Sequence, residues 1–493
     1  MALHGLVTRN MGTHVKHLRL HGEWRQPDLE EHGRLGLVPD SDIMLSCLVR
    51  VALEKMPSIQ SFRYIPTSSP STVAMHAGLT KTFSTHSWEL DTKMLPTVWQ
   101  GLAQSTVADL TVKFPTLRTP RPIALVPPMP NLKSLRLLDI DPLCYVDDVS
   151  LLIAKSSKLE SLSLVWHPRM KEMREPSVSL STFFGRSLSA VPPIPLKRVA
   201  IKNLYSRNDG ECNSDAPKIS LQEMTMINST TGQGDEAGFF EASWRSKRHR
   251  PAPDLKLLRG DNVSRDSCTF LASISGLEYL YLVCPFSNPP SSPATSSQPT
   301  ALPNSPASSN DGTPSSAGPS SPSTILSLKD TYIETILTHH GPTLKHLLLL
   351  PQWRLAADDI VKIFHGCPNL EQLGIGVEFE NWPNLRLLAP FMVKLKALRL
   401  LDNPLDNGAF RAQVHAMDVD HQHEKHLGRQ QLNREKTSLR WIELADLLFQ
   451  LGVPYPCEAE DGSGSKIYKR KVTKRSRSLV EDLEIWKYST MEV

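Results

Sequence analysis

One phrase recurs along this chain: an apolar residue, two variable residues, a second apolar residue, one variable residue, a third apolar residue. It appears first as Val15, Leu18 and Leu20, then as Ile59, Phe62 and Tyr64, and as Val107, Leu110 and Val112. Leu132, Leu135 and Leu137 follow, then Leu159, Leu162 and Leu164, then Leu196, Val199 and Ile201, then Leu221, Met224 and Met226. Leu255 and Leu258 form a degenerate copy. Later copies start at Leu277, Leu344, Leu370, Leu395 and Leu439. In each copy the last two apolar positions flank one variable residue. That alternation is the period of a short strand with one buried face.

The spacing between copies is regular. Leu132 to Leu159, Leu196 to Leu221, Leu344 to Leu370 and Leu370 to Leu395 are 27, 25, 26 and 25 residues. Leu277 to Leu344 is 67, and removing the 37 residues Ser287–Ser323 brings it to 30. Asp148, Asp266 and Asp359 each precede the next strand phrase by 11 residues, and apolar pairs follow at Leu152-Ile153, Phe270-Leu271 and Ile363-Phe364. An aspartate before an apolar face predicts an N-cap that accepts the first free helical N–H groups. Each unit therefore reads as strand, turn and helix. A single unit cannot bury both its strand and its helix face, so neighbours must stack. Self-similarity at this period with this phrase predicts an α/β leucine-rich-repeat solenoid, a horseshoe of irregular repeats of about 25–30 residues.

The stretches Asp148–Leu164 and Asp359–Ile375 resemble the repeats of leucine-rich-repeat proteins of the F-box type, especially divergent fungal members. The resemblance covers most of the chain outside its inserts. It implies a non-enzymatic scaffold that binds a protein partner on its concave sheet, and a substrate receptor of a ubiquitin ligase as the specific form of that role. Family members often carry an N-terminal F-box that docks the ligase scaffold. Here the first strand phrase starts at Val15, which leaves no room for that helical module. Two other readings stand beside it: a leucine-rich-repeat regulator of a GTPase, and a nuclear nucleic-acid-associated protein.

The repeat is interrupted. Residues 1–286 carry its first part and residues 325–402 its second. Between them, 287–324 is rich in Ser and Pro, a composition that cannot build a core and predicts disorder. Ser292, Ser305, Thr313 and Ser321 each precede a proline there and are candidate phosphorylation positions. Gly232–Pro253 is irregular, and 403–437 reads as a polar, His-rich insert. Residues 438–493 hold the last repeat strand, followed by two predicted capping strands at Ile467–Lys474 and Leu483–Tyr488.

Composition narrows the function classes. Of 493 residues, 68 are Leu, and the net charge is only +4, which argues against a strongly basic nucleic-acid coat. Lys466–Arg477 is a local exception, with seven Lys or Arg and no acid, and reads as an import signal or as solvated strand charge. The seven cysteines include no Cys-x-x-Cys pair and suggest reduced, mostly buried thiols. Without an apolar leader at the start, the expected location is the cytoplasm or nucleus. Cys268–Phe286, the most apolar stretch, is broken by Glu278 and contains a repeat strand, so it reads as core and no membrane contact is expected.

No motif for chemistry stands out. There is no Gly-Lys dipeptide for a P-loop, no Gly-x-Ser-x-Gly and no His-Glu-x-x-His. His415, His421, His423 and His426 crowd one insert with Asp418 and Asp420, a set of donors that suits a transition metal but reads as an open polar loop. No cofactor, metal or catalytic residue is expected, so the chain reads as a non-enzyme. The informative surface is the strand face turned away from the helices. Its candidate partner-binding residues are Arg136, Arg198, Lys202, Tyr279, Tyr281, His346, Arg399 and Trp441. Arg, Tyr and Trp dominate binding hot spots. Leu138, Leu348, Leu350 and Leu401 are expected on the same face. Its basic excess, Arg19, Arg63, Lys113, Arg136, Arg198, Lys202 and Arg399 against Asp109, Glu223 and Glu443, favours an acidic protein partner.

Overall fold

The computed structural model describes residues 11–22, 61–66, 87–90, 107–113, 129–169, 173, 184, 186, 194–204, 221–227, 254–261, 263–283, 328–377, 393–403, 408–419, 438–458 and 466–493. The Ser/Pro-rich tract 287–324 with its four candidate phosphorylation positions, the stretch Gly232–Pro253, and His421, His423 and His426 lie outside them.

The architecture is mixed α/β, built on a largely parallel sheet. Its strands in chain order are β1 (His17–Gly22), β2 (Ser61–Pro66), β3 (Ser87–Leu90), β4 (Asp109–Lys113), β5 (Ser134–Ile140), β6 (Ser161–Trp166), β7 (Arg198–Lys202), β8 (Glu223–Ile227) and β9 (Leu257–Gly260). They continue with β10 (Tyr279–Leu282), β11 (His346–Leu348), β12 (Arg354–Leu355), β13 (Gln372–Val377), β14 (Ala397–Leu401), β15 (Trp441–Leu444), β16 (Leu447–Glu458) and β17 (Lys466–Arg475). From β1 to β11 each strand pairs in parallel with the next in sequence. β11 and the two-residue β12 both pair with β13, which pairs with β14, and β14 with β15.

The register follows the apolar phrase. Leu110, Leu135, Leu162, Val199, Met224, Leu258, Leu280, Leu347, Leu373, Leu398 and Ile442 stand side by side across successive strands. All but Leu258 are buried. A one-residue slip would turn this whole row to the opposite face, so the apolar row itself fixes the pairing. β3 interrupts an otherwise silent stretch between the phrases at Ile59 and Val107. Its copy has Thr85 in the first apolar position, so only Trp88 and Leu90 remain to mark it, and they pair with Leu110 and Val112.

Helices lie over the apolar row. They are α1 (Pro142–Lys155), α2 (Arg265–Ser273), α3 (Lys329–His339), α4 (Ala357–Gly366) and α5 (Ala409–Val419). Cys268 and Leu271 of α2, Tyr332, Ile333 and Ile336 of α3, and Ile360 and Ile363 of α4 share one core with the strand leucines. Cys268 and Cys367 are buried free thiols, and burial pushes the Cys367 thiol up to about 12. No helix among the described residues is long and apolar enough to cross a membrane.

The structure corrects three expectations. The repeat aspartates are not N-caps. Asp148 lies inside α1; Ser264 caps α2, its hydroxyl accepting from the Ser267 N–H at 3.0 Å. Asp359 is the third residue of α4 and reaches back to the Ala356 N–H at 3.3 Å while accepting from Lys329 at 2.7 Å. An aspartate one turn inside serves the same orphan N–H groups as one at the cap, so the sequence signal is displaced by a few residues. The His-rich insert begins as α5, because Phe410 and Val414, one turn apart, are both buried in the core. His415 on that helix meets Asp446 at 2.8 Å. Leu483–Tyr488 is not a strand: Glu484–Lys487 form the one-turn helix α6.

The sheet changes direction after its last parallel strand. β16 pairs antiparallel with β15, and β17 antiparallel with β16. Among the described residues the basic run Lys466–Arg475 is therefore an outer strand. Charge on an edge strand discourages pairing with another chain. Among the basic residues of this run whose burial is described, Arg470 points inward, buried and donating to the Leu439 carbonyl at 2.6 Å.

Candidate partner-binding face

Residues between the apolar strand positions form rows on the opposite face of the sheet. One row runs Ser134, Ser161, Arg198, Glu223, Leu257, Tyr279, His346, Gln372, Ala397 and Trp441. The next runs Arg136, Ser163, Ala200, Thr225, Arg259, Tyr281, Leu348, Gly374, Arg399 and Glu443. The structure thus brings the sequence-predicted residues into adjacent rows, with Lys202 two residues beyond Ala200 on the same strand. Leu350 is the exception: it is buried in the main core on the helix side.

Much of this face is already covered by the chain itself. After β17, residues 476–493 fold back across it. Val480, Ile485 and Trp486 form a second apolar cluster with Leu257, Tyr281, Leu348, Ala397 and Leu448, separate from the main core. Tyr279, Leu401, Trp441 and Tyr488 pack around it. Further along, Met491 and Val493 cover Ile227 and Val283. Gly374 makes room for this contact: a Cβ there would stand 2.4 Å from Leu348 Cδ1 and 3.3 Å from Ile485 Cδ1.

The polar contacts fall in three groups. At the β13–β15 end, Glu443 is buried and accepts from Arg399 Nε and, at 2.7 Å, from Trp486 Nε1. Arg399 also donates to the Ile485 carbonyl at 2.8 Å and lies over the Trp486 ring. Gln372 grips the start of α6 at both ends of its amide: Nε2 donates to Glu484 Oε2 at 2.8 Å and Oε1 accepts from the Ile485 N–H at 2.9 Å. Burial alone would raise the Glu484 carboxyl, but the bond from Gln372 holds it below its ordinary value.

In the middle, the Tyr281 hydroxyl meets His346 Nδ1 at 2.8 Å, and the Tyr281 ring lies 5.0 Å from that of Tyr488. Tyr279 stands edge-on to His346. At the β9 end, Arg259 donates Nε to the Tyr488 carbonyl at 3.0 Å, and Nη2 to the carbonyls of Thr490 at 2.5 Å and Glu492 at 2.7 Å. Burial pulls the Arg259 guanidinium down to about 10, which leaves it cationic at neutral pH. Arg136 donates to the Val493 carbonyl. Burial also lowers Lys202, opposed by the nearby Glu492 carboxylate.

Of the eight predicted residues, Tyr281, His346 and Arg399 are therefore buried beneath the tail, and Tyr279 and Trp441 are half-buried at its margin. Arg136 and Arg198 are exposed, and Lys202 is half-buried. Sequence reasoning missed Arg259, which makes more bonds to the tail than any predicted residue. Its repeat copy has Gly260 in place of the third apolar residue, and the outward position went uncounted with it. Alignment of that degenerate copy with Tyr281 on the next strand would have found it.

Acid is expected to loosen this corner. Burial lowers His346 from an ordinary 6.5 to about 4, and His340, at the end of α3, likewise. Both rings are neutral in the folded chain, and the unfolded chain takes up their protons first as pH falls. Stability from this source is complete above about 6.5 and is lost on the way down to about 4, by up to roughly 1.4 kcal/mol per pH unit for each ring. Thermal melts from pH 7.5 to 4.5 should fall through that window, and His346→Gln should flatten part of the slope. A melting temperature that is constant below 6.5 would contradict it.

No metal cluster of His, Cys, Asp or Glu is present among the described residues. No protein-family model matches the chain, and no curated protein is significantly similar to it.

Proposed function

We propose that this protein is a leucine-rich-repeat solenoid acting as a protein-interaction scaffold, with the sheet face opposite the main core as the binding surface. The observation that carries the reading is that this face already holds a peptide. It binds residues 476–493 through an aromatic and aliphatic cluster and through guanidinium groups aimed at main-chain carbonyls. Two features of the residues support it further. Successive strands in register line up side chains of hot-spot type, and a preformed sheet loses little conformational entropy on binding. The part of the face on β6 and β7 that carries Ser161 and Arg198 remains accessible beside the docked tail.

The test is site-specific photo-crosslinking in the cell of origin. A photoreactive residue at Ser161 or Arg198 should capture the same partner, whereas one at Glu334 on α3 or Lys362 on α4 should not. Capture confined to the helix positions would move the binding surface to the other side of the sheet.

A further inference from the structure

The tail is held by a surface that differs in kind from the main core. The groups beneath it include Arg259, His346, Gln372, Arg399 and Glu443, all buried and all polar. The main core on the other side of the sheet gathers a long run of aliphatic and aromatic side chains, with His340 and Asp359 among the buried polar residues at its helices. Burying polar groups is costly unless each finds a partner, and a permanently closed layer gains more from apolar side chains. A polar face around a small apolar centre is the make-up of a non-obligate interface, one that tolerates water when its occupant leaves. The tail matches this pattern. Between Glu481 and Val493 only Ile485, Trp486 and Met491 are buried, while Glu481, Asp482, Glu484, Lys487, Thr490 and Glu492 are exposed.

We propose that residues 476–493 are an exchangeable, built-in competitor, and that the face recognises a segment of another protein with the same chemistry. This rests on the scaffold reading given above. The contacts define that segment. Arg259, Arg399 and Arg136 bind main-chain carbonyls, which any sequence offers, while Arg259 and Arg399 also lie over the Tyr488 and Trp486 rings. Selection comes from the pocket around Ile485 and Trp486, from the Glu443 carboxylate that accepts the Trp486 indole N–H, from Gln372 holding Glu484, and from the ring of Tyr281 against Tyr488. The partner segment thus carries an acidic residue, then an aliphatic residue and a tryptophan, with an aromatic residue two positions on. An acidic residue at the place of Glu492 suits Lys202. While the tail is docked, that segment must displace it, so the tail sets the threshold for partner binding.

The test uses a fluorescent synthetic peptide with the sequence of residues 476–493 and the full chain. Trp486→Ala combined with Tyr488→Ala should weaken the chain's own tail. This variant is expected to bind the peptide at least about tenfold more tightly than the unaltered chain, since one lost anchor commonly changes affinity that much. Adding Arg259→Glu should abolish the gain, and a peptide carrying the Trp486→Ala change should bind at least about tenfold more weakly. Equal peptide binding by the variant and the unaltered chain, or a gain indifferent to Arg259→Glu, overturns the proposal. If the double variant does not fold, a protease site inserted between Arg475 and Ser476 of the full chain replaces it. The cut tail should then exchange for labelled peptide under native conditions, and a tail that stays bound without exchange overturns the proposal. A concentration-dependent dimer made by tail exchange between copies would also overturn it, because the occupant would be a second copy. Crosslinks from Arg198 that persist while the peptide fails to bind would leave the scaffold reading intact and sink only this inference.

Discussion

Glu443→Ala is expected to be among the most damaging single changes in the chain. Glu443 is almost fully buried and accepts from both Arg399 and Trp486, with Arg477 3.6 Å from its second oxygen. Removing the carboxylate leaves the Arg399 charge buried without its anion, facing the neutral Ile485 carbonyl and Trp486 ring. Breaking one partner of a buried ion pair costs about 3–5 kcal/mol, since the survivor keeps its desolvation penalty. The loss should appear in two places. Urea unfolding should shift to a lower midpoint, and the tail should come off the sheet, because α6 loses its anchor at Trp486. The conservative Glu443→Gln should fall between, retaining an acceptor for the indole N–H but not the charge. An Ala variant as stable as the unaltered chain would mean that the pair is not buried as described.

Leu373→Ala tests the other face of the sheet. Leu373 is fully buried between Leu347 and Leu398, in the row that carries the apolar phrase. A large-to-small change there loses transfer energy and leaves a cavity, for about 2–5 kcal/mol. Leu162→Ala, between Leu135 and Val199, should behave alike. Ser161→Ala, one residue from Leu162 and half-exposed, should stay within roughly 0.5 kcal/mol. Denaturant midpoints of the three variants check this, and equal losses at Leu162 and Ser161 would contradict the register. Gln372 shares the outward row with Ser161 but is not exposed. It is buried under α6, so Gln372→Ala should cost about 1–3 kcal/mol by stranding the Ile485 N–H.

What was legible in the sequence was whatever the apolar phrase encodes: the repeated strands, their pairing order and the identity of the buried row. The phrase works because adjacent strands must present the same face to one core. Where it degenerates, at Thr85 and at Gly260, it lost β3 and Arg259. The docked tail was illegible for a different reason. Leu483–Tyr488 spans too few residues to separate a strand period from a helical one. Its conformation comes from Gln372, Arg399 and Glu443, which lie 43 to 113 residues along the chain from the tail groups they bind. The same tail explains why residues chosen as exposed binding positions, such as Tyr281, His346 and Arg399, are buried. The choice of face was a statement about the sheet alone, and the occupant came from elsewhere in the chain.

Amide hydrogen exchange on the full chain, followed at peptide resolution, tests the central claim most directly. In the unaltered chain, amides of residues 483–489 should be protected, yet should open before those of β10, β13 and β14. In Glu443→Ala the tail amides should exchange near the rate of an unstructured peptide while β10 and β13 keep most of their protection. Tail amides that exchange freely in the unaltered chain would contradict docking on the sheet. Tail amides that open only together with the strands would contradict an exchangeable occupant.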